Sequence, residues 1–580
     1  MIRYFDIGRS DLTELTSWRM KPDPDGVGKR EEWFKTPPAD LRLATVPSCW
    51  NLELDLFEYT GDVWYFTDFT AKNENARLVF GAVNNECEVW VDGAPVASHY
   101  GPFMEFGVDL PHVGVGTHSL AVRVSAYHNL TDTIPLRRTD WYNWGGLIRG
   151  VELHGFARAA ILRMHVRYTL DVGDRAADVE VDVTLTGFGE EVTDTLAVTL
   201  GDVTVSKEIT VRGETTVTLS LGRLEDLHLW DIYQGNLYTV TATFSGDRLI
   251  DRVGFREFRA EGQSLMLNGR RIELRGVNRH EDHPSSGFAV PPAIIKRDLD
   301  IIKKTGCNMV RGSHYPNSKL TLDLLDEMGL LFWEEIPMWG FDAAAVANPL
   351  VRERAITMHH EMITRDKNHP SIVLWGLENE AHTEVEAAPA LLKALFETVR
   401  SLDPSRVITY ACNHPHDDIC MDYCDVVSIN VYPVWYGNVF GGGREEAPEI
   451  WPEFIDKVEA RMKERGVNHK PLVVSEFGIG AIAGDTDPFA PIRWTEEYQE
   501  DYYCRALPLL MKNKRVAGTI LWQYCDTRAA LLRIMANQRP RGYNNKGILN
   551  EYRIPKRAWY VVRDLYTAVL PDGIPADKES

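Results

Sequence analysis

Two glutamates stand at the ends of short apolar segments, where a carboxyl group can be held at the rim of a folded core. Glu380 ends the segment IVLWGLENE, and Glu476 lies near the end of LVVSEFG. Two carboxyl groups held roughly 5 Å apart can cleave an acetal by double displacement, because one protonates the departing oxygen while the other attacks the carbon. These glutamates are therefore the first candidates for acid–base and nucleophilic chemistry.

The residues beside each glutamate favour a division of roles. Asn379, directly before Glu380, offers an amide donor to a sugar 2-hydroxyl, a contact that strengthens in the transition state of glycoside cleavage. Glu380 is therefore predicted to be the acid/base of a retaining glycoside hydrolysis. Glu476 precedes the Phe477-Gly478 turn, which can aim a fixed carboxylate, and is predicted to be the nucleophile.

Other carboxyl groups compete for these roles. Glu378 lies two residues before Glu380, on the same face of an extended strand, and is the main alternative for the acid/base. Glu334, Glu335 and Asp526 also follow apolar segments. We interpret these three as supporting or structural groups.

Aromatic residues are frequent at the same segment ends. Sugar rings stack their C–H faces on aromatic side chains, while their hydroxyls need polar partners, so such a mixture is typical of a carbohydrate cleft. The residues concerned are Trp339, Tyr432, Trp435, Tyr436 and Trp522. Their position at the last residues of strands favours carbohydrate contact for Trp522 and Tyr432, and ordinary packing for the others.

The elements that must position these residues begin after Gly254, where short apolar segments alternate with amphipathic helices. Segments that are apolar throughout are typical of parallel strands buried on both faces. Eight are present: IELRGVNR, CNMVRGS, LLFWEEI, IVLWGLENE, VITYAC, VVSINVY, LVVSEFG and GTILWQYCD. They predict a (β/α)8 barrel, whose active site lies at the C-terminal strand ends. An open doubly wound sheet is the alternative, but no GxGxxG follows a strand.

The preceding part of the chain has a different pattern. From about residue 40 to 260, apolar and polar residues alternate over short runs with Gly and Asp between them, as in HSLAVRVSAYHN and DVEVDVTLTG. Period-two alternation predicts half-buried antiparallel strands, and the length fits two β-sandwiches. We place the boundary between them near residue 157.

Composition restricts the class of protein. The chain has 580 residues, too many for one core, and its 44% hydrophobic and 25% charged content is that of a folded globular protein. A net charge of −21 without a basic run opposes binding to nucleic acid or an anionic membrane. An anionic substrate would need a local cation. The N-terminus lacks a leader pattern and the eight cysteines are sparse, which favours a cytoplasmic location.

Metal binding is not expected. Cys412, His414, His416, Cys420 and Cys424 lie close in sequence but lack a CxxC pair and the spacing of a zinc site. Hydrolysis by two carboxyl groups requires neither a metal nor a redox group, so no cofactor is predicted.

These segments resemble glycoside hydrolase family 2. The resemblance rests on NE at the fourth strand, SEFG at the seventh, and the run GVNRHEDHP, DLDIIKKTGCNMVRGSHYPN and LLDEMGLLFWEEIPMWG, and it covers almost the whole chain. It implies a jelly-roll sugar-binding-like domain over 1–157, an immunoglobulin-like sandwich over 158–258 and a catalytic TIM barrel over 259–580.

Within the family, the chain looks more similar to β-glucuronidases than to β-galactosidases. The segment YNNKGIL resembles the Asn-x-Lys motif that recognises uronic acids, with Asn544 and Lys546 in its two fixed positions. A C6 carboxylate would find a cation in Lys546 and an amide donor in Asn544. Glucuronidases of the family often carry an Arg shortly before this motif. Pro540 occupies the aligned position here, flanked by Arg539 and Arg541.

The resemblance implies further substrate-binding residues. Asp140 and Asn143 in RTDWYNWGG match the segment in which the N-terminal domain reaches the sugar, where Asp140 would accept from hydroxyl groups. The remaining matches are Tyr432, Tyr436, His314 and Trp522, together with Asn379.

The sequence leaves several functions open. The first is an exo-acting retaining β-glucuronidase that binds a small glycoside and forms a homo-oligomer. A β-galacturonidase or β-galactosidase is the alternative enzyme, since the contacts to C4 of the sugar are not readable. A non-catalytic carbohydrate-binding protein is a third possibility, disfavoured because both glutamates are present.

Overall fold

The computed structural model describes residues 4–436, 447–489, 491–530 and 538–568. Ten strands come first in the chain: β1 (Leu12–Glu14), β2 (Ser17–Asp23), β3 (Arg42–Thr45), β4 (Asp62–Ala71), β5 (Asn75–Phe80), β6 (Glu86–Val91), β7 (Ala94–Tyr100), β8 (Phe106–Leu110), β9 (Gly116–Ser125) and β10 (Val151–Phe156). They form two antiparallel sheets, in the orders β1-β10-β5-β8 and β3-β2-β4-β9-β6-β7. Tyr65, Leu78 and Val122 from the two sheets share one buried core.

A second pair of antiparallel sheets follows. Its strands are β11 (Ala160–Asp171), β12 (Ala176–Thr186), β13 (Val192–Leu200), β14 (Val203–Val211), β15 (Thr215–Leu224), β16 (Tyr238–Phe244) and β17 (Asp247–Val253). The orders are β11-β12-β15 and β14-β13-β16-β17. Alternate residues of β12, among them Val179, Val181 and Val183, are buried between the sheets, as period-two patterning requires.

A small antiparallel sheet precedes the barrel and packs against the end where the barrel strands begin. It consists of β18 (Phe258–Glu261), β19 (Ser264–Leu267) and β20 (Arg270–Ile272). Leu265 and Leu267 pack in one cluster with Leu274, Met309 and other inward-facing barrel residues. This sheet therefore covers the end of the barrel opposite the predicted active site.

Eight parallel strands close into the barrel, and all eight predicted strands are confirmed. They are β21 (Leu274–Asn278), β22 (Met309–Gly312), β23 (Leu331–Glu335), β24 (Ile372–Asn379), β25 (Val407–Cys412), β26 (Val427–Asn430), β27 (Leu472–Glu476) and β28 (Val516–Leu521). Strand β21 pairs with β28 and closes the ring. Every residue of these strands is buried, which explains their continuous apolar composition.

Helices surround the barrel. They are α1 (Pro292–Lys304), α2 (Lys319–Met328), α3 (Ala343–Val346), α4 (Pro349–Asp366), α5 (Ala388–Leu402), α6 (Trp451–Glu464), α7 (Glu496–Lys512) and α8 (Arg557–Ala568). Two short strands, β29 (Thr527–Arg528) and β30 (Tyr543–Asn544), pair beyond β28. Among the described residues, no helix has the length and apolar character needed to cross a membrane.

Candidate active site

The two predicted catalytic glutamates lie at the same end of the barrel and share a hydrogen-bond network. Asn430, the last residue of β26, donates from Nδ2 to Glu380 Oε1 at 3.0 Å and to Asn379 Oδ1 at 2.9 Å. Arg311 donates to the same Asn379 oxygen at 2.6 Å and to Glu476 Oε1 at 2.8 Å. The network thus joins the ends of the fourth and seventh strands, as the sequence predicts.

Glu476 is buried and accepts two hydrogen bonds. Its side chain accepts from Arg311, and its Oε2 accepts from the Tyr432 hydroxyl at 2.7 Å. Burial, together with repulsion from Glu380, raises the pKa of Glu476 to about 8, although Arg311 and Tyr432 act in the opposite direction. The proximity of a second carboxyl group therefore opposes ionisation of Glu476.

Glu380 differs from Glu476 in exposure and backbone conformation. It lies directly after β24, is partly exposed, and adopts a left-handed backbone with φ of 55°. Left-handed backbone costs a non-glycine residue on the order of 1–3 kcal/mol and is often retained where function requires it. Its partial exposure at the C-terminal end of a barrel strand suits a group that protonates a leaving oxygen.

Glu378 lies elsewhere. Its Oε2 accepts from the backbone amide of Ala381 at 2.6 Å, and burial raises its pKa well above the ordinary value, with Asp418 adding repulsion. The two glutamates differ in their partners, because Glu380 follows the strand in a left-handed turn and accepts from Asn430, whereas Glu378 accepts from Ala381. Glu378 is fully buried, and repulsion from Glu335 and Glu380 also contributes to its raised pKa.

His314 and Trp522 form one wall of the site. Their rings stack at a centroid distance of 5.1 Å, and His314 Nε2 lies 3.8 Å from Glu476 Oε1. Burial lowers the pKa of His314 well below its usual value, and the Arg311 charge adds to this, so the imidazole is neutral. Trp141 from the N-terminal part also packs against His314, with a centroid distance of 5.7 Å.

The Asn-x-Lys residues lie on the side of Tyr432. Lys546 is 2% exposed, and its Nζ donates to the Tyr436 hydroxyl at 2.8 Å. The same Nζ stands 5.5 Å from the centre of the Tyr432 ring, whose hydroxyl contacts Glu476. The side chain of Tyr432 therefore lies between the buried Lys546 and Glu476.

Asp140 reaches this region from the N-terminal part of the chain. It accepts from Arg539 Nε at 2.8 Å and from Asn544 Nδ2 at 3.0 Å. Burial lowers the pKa of Arg539, but the Asp140 carboxylate more than offsets this and holds the pKa above the ordinary value. Arg539 also bonds to Tyr436. Arg539, whose role could not be assigned from the sequence alone, thus shares a partner, Tyr436, with Lys546.

Two other residues of these segments point away. Arg541 pairs with Glu551 at 3.3 Å and is half-exposed. Asn143 bonds to the ring nitrogens of His128 and accepts from Asn84 at 3.1 Å, both in the N-terminal part of the chain.

Sequence reasoning missed Arg311, Asn430 and Arg539, and interpreted Glu335 only as a supporting or structural group. Arg311 and Asn430 could have been found, because each is a polar residue near the C-terminal end of an otherwise apolar barrel strand. Arg539 was visible beside the aligned position of the family arginine, but its role could not be chosen over that of Arg541, since its contact with Asp140 joins positions 399 residues apart.

The possible metal ligands also differ from those considered in the sequence. Cys412 contacts the Thr383 hydroxyl and Cys420 the Thr383 carbonyl, at 3.3 and 3.4 Å. Within the described ranges, the group whose spacing could hold an ion is Asp323, Asp326 and His369, but Asp326 and His369 already bond to each other at 2.6 Å. Asp326 lies in α2 and His369 in the segment between α4 and β24, before the N-terminal end of that strand and not at the end that carries Glu380.

The barrel and its paired carboxyl groups define a glycoside hydrolase. Residues 258–570, more than half of the chain, match the family model for the TIM barrel domain of glycosyl hydrolases family 2. The chain belongs to glycoside hydrolase family 2.

Full-length relatives agree with this assignment. A β-glucuronidase of Paenibacillus borealis is 29% identical, with 94% of this chain and 95% of the relative covered. A β-galacturonidase of Eisenbergiella tayi, solved with galacturonate, is 32% identical with a TM-score of 0.89, covering 98% of this chain and 100% of that one. A Ruminococcus gnavus β-glucuronidase in complex with D-glucuronic acid is 28% identical, with a TM-score of 0.85 and coverage of 97% and 99%.

Proposed function

We propose that the protein is an exo-acting, retaining β-glucuronidase. The observation that carries the proposal is the buried Lys546 ammonium, held against Tyr436 and Tyr432 beside Glu476. With a net charge of −21, an anionic substrate needs local cations, and Lys546 and Arg539 share Tyr436 in this region. The names of the relatives, β-glucuronidase and β-galacturonidase, both denote enzymes acting on uronides.

The reaction proceeds in two displacements. Glu476 attacks the anomeric carbon, and the bond to the leaving oxygen breaks as Glu380 gives that oxygen its proton. Glu380, now a carboxylate, takes a proton from water, and the water oxygen displaces Glu476 to release the sugar with its original configuration. Asn379, whose Nδ2 is buried and has no partner among the described residues, would donate to the 2-hydroxyl.

Recognition of the C6 carboxylate is proposed for Lys546, with Asn544 and Arg539 as further donors. Arg539 and Asn544 converge on Asp140, and Arg539 and Lys546 converge on Tyr436. Lys546 and Arg539 would supply two cations, and Asn544 an amide donor, around the position proposed for the C6 carboxylate. Asp140 would also accept from a sugar hydroxyl once substrate enters.

A β-galacturonidase is the second candidate. The similarity to the Eisenbergiella tayi enzyme, solved with galacturonate, supports it. Both sugars carry the same C6 carboxylate and differ in the orientation of the 4-hydroxyl, so the Lys546 argument applies to either. Parallel assays of 4-nitrophenyl glucuronide, galacturonide and galactoside would rank these activities, and a protein that bound but cleaved none would be a carbohydrate-binding protein.

Lys546→Ala tests recognition of the carboxylate. A charge-assisted hydrogen bond contributes roughly 1.5–3 kcal/mol, so kcat/KM for the glucuronide should fall about tenfold to a hundredfold or more. Turnover of a neutral galactoside should hardly change. Steady-state kinetics on both substrates, at matched salt, measure this ratio.

Arg541→Ala is the matched control. It removes one cation from the same loop, but that cation pairs with Glu551 and lies half-exposed. Its ratio of glucuronide to galactoside activity should equal that of the wild type. Loss of both activities by one common factor in Lys546→Ala would make Lys546 a structural residue and remove the main support for a uronidase.

We also propose the finer organisation that the resemblance implies. The first pair of sheets would be the jelly-roll sugar-binding-like domain over 1–157, and the second the immunoglobulin-like domain over 158–258, with the catalytic barrel over 259–580. A cytoplasmic homo-oligomer that binds a small glycoside and no nucleic acid completes the proposal. Light scattering of the purified protein would measure the oligomeric state.

A further inference from the structure

We propose that Glu335 is a positioning residue, whose single carboxylate fixes the orientation of Arg311 and the tautomer of His314 and thereby presents both to the sugar and to Glu476. The proposal rests on the catalytic role proposed for Glu476. Glu335 ends β23, is fully buried, and contributes no atom to the displacement itself. It acts through other side chains.

The Arg311 guanidinium is held on one side by Glu335. Its Nε donates to Glu335 Oε2 at 3.0 Å and its Nη2 to Glu335 Oε1 at 2.9 Å. A planar guanidinium bound by two parallel hydrogen bonds has one orientation. In that orientation Nη1 reaches Glu476 at 2.8 Å and Nη2 reaches the Asn379 carbonyl oxygen at 2.6 Å.

The hydrogen bond to Asn379 has a further consequence. Because Arg311 and Asn430 both donate to its carbonyl oxygen, the amide must present its Nδ2 on the other side. That nitrogen is buried and has no partner within the described part of the chain. Asn379 therefore keeps an amide donor that a hydroxyl group of the sugar could use.

The tautomer of His314 follows from the same carboxylate. His314 Nδ1 stands 2.7 Å from Glu335 Oε1, and both oxygens of that carboxyl group accept from Arg311, so Glu335 is the acceptor and Nδ1 carries the proton. His314 Nε2 then presents a lone pair; it is buried, 3.8 Å from Glu476 Oε1, and unpartnered among the residues that the structure describes. Glu335 thus places one acceptor and, through Arg311, one donor where hydroxyl groups of the sugar would lie.

The charge of Glu335 also affects Glu476. Glu335 and Glu476 share the one guanidinium of Arg311, so each weakens the stabilisation that Arg311 gives the other. Burial raises the pKa of Glu335 to about 7 despite the opposing effect of Arg311. Among the described residues, the charged and titratable groups next to Glu476 are Arg311, His314, Glu380 and Tyr432. Glu335 lies on the other side of Arg311, and Lys546 lies beyond Tyr432.

Glu335→Gln keeps the volume of the side chain and tests both effects. The NH2 group of the new amide must point at an N–H group of Arg311 or His314, and two donors cannot form a hydrogen bond. The guanidinium and the imidazole therefore lose their fixed orientation, and kcat/KM should fall roughly tenfold to a hundredfold. Removing the negative charge leaves Arg311 free to stabilise the Glu476 carboxylate and lowers the pKa of Glu476. Activity requires that carboxylate, so the rise of kcat/KM with pH should begin at lower pH, by about half a unit or more.

Glu334→Gln is the matched control. Glu334 is the preceding residue of the same strand and is equally buried. Its side chain, however, lies near Arg365 and accepts from the backbone N–H of Asn317 at 3.2 Å. Both rate and pH profile of this variant should match the wild type. A fall in rate for Glu335→Gln with an unchanged pH profile would overturn the proposal, because a purely structural residue would give that result.

Glu335→Asp provides a second test if the amide variant does not fold. It keeps the charge but shortens the side chain by one methylene, so the pH profile should stay while kcat falls about tenfold or more. A kcat within twofold of the wild type would refute positioning by Glu335. Failure of the catalytic assignment itself is distinguishable, since Glu476→Gln would then retain activity whatever the Glu335 variants do.

Discussion

Glu476→Gln should lower kcat on the order of 10⁴-fold or more while the protein remains folded. The carboxamide cannot form the glycosyl-enzyme bond, so the first displacement is lost rather than slowed. Gln keeps the volume of the side chain and can still accept from Arg311 or Tyr432, so we expect no large loss of stability. Turnover of 4-nitrophenyl β-D-glucuronide and a thermal melt measure the two properties.

Glu378→Gln is the control for this experiment. Glu378 is a buried glutamate of the neighbouring network, but it is neutral and contacts only the Ala381 amide among its recorded hydrogen bonds. Its kcat should change by less than tenfold. Comparable losses in Glu378→Gln and Glu476→Gln would show that removal of any buried carboxyl inactivates the barrel, and the nucleophile would remain unassigned.

Stereochemistry adds a test that does not depend on rate. In Glu476→Ala, azide can occupy the space left by the side chain and attack from the side of the missing carboxylate. A β-glycoside would then give the α-glycosyl azide. Formation of the β-azide instead would place the nucleophile on the other side of the ring.

The barrel and the two glutamates could be predicted because each follows from a local property. A strand buried on both faces has to be apolar throughout, and a polar residue at its C-terminal end lies at the active-site face of a barrel. Glu380 and Glu476 satisfy both conditions. No information from distant parts of the chain was required.

The contacts around the glutamates depend on geometry that the sequence does not encode locally. Glu378 and Glu380 are two residues apart, yet Glu378 accepts from the backbone amide of Ala381 and Glu380 from Asn430. Asp140 and Arg539 meet only because the segment after β9 crosses to the barrel mouth. Residues 437–446 and 531–537, which flank Tyr436 and Arg539 in sequence, lie outside the described ranges.

The role of Glu335 could not be predicted for a different reason. Its type and position at the end of β23 are visible in the sequence, but they are shared by Glu334 directly before it. Only the partners separate the two residues: Arg311 and His314 for Glu335, and Arg365 with the Asn317 amide for Glu334. Strand alternation predicts opposite faces but not which face holds the site.

Glu380→Gln should slow the enzyme to a degree that depends on the leaving group. An alkyl alcohol leaves poorly without a proton, so methyl β-D-glucuronide should lose about 10²–10⁴-fold in kcat/KM, the usual contribution of general acid catalysis. A nitrophenolate leaves without help, so its first displacement should change little. Only the second displacement, which needs Glu380 as a base, should then limit turnover, and a burst of nitrophenol should precede a slow steady state.

The pH profile of Glu380→Gln has a predicted sign. Glu380 repulsion contributes to raising the pKa of Glu476 to about 8, so removal of that charge lowers the pKa. Because Glu476 works as a carboxylate, kcat/KM for the nitrophenyl substrate should begin to rise at lower pH than in the wild type. Azide should restore turnover of Glu380→Ala by attacking the glycosyl-enzyme from the open side, giving the β-glycosyl azide. Equal losses for alkyl and nitrophenyl substrates, with no burst and no azide product, would contradict the assignment of Glu380 as acid/base and leave Glu476 as the one carboxyl group with a chemical role.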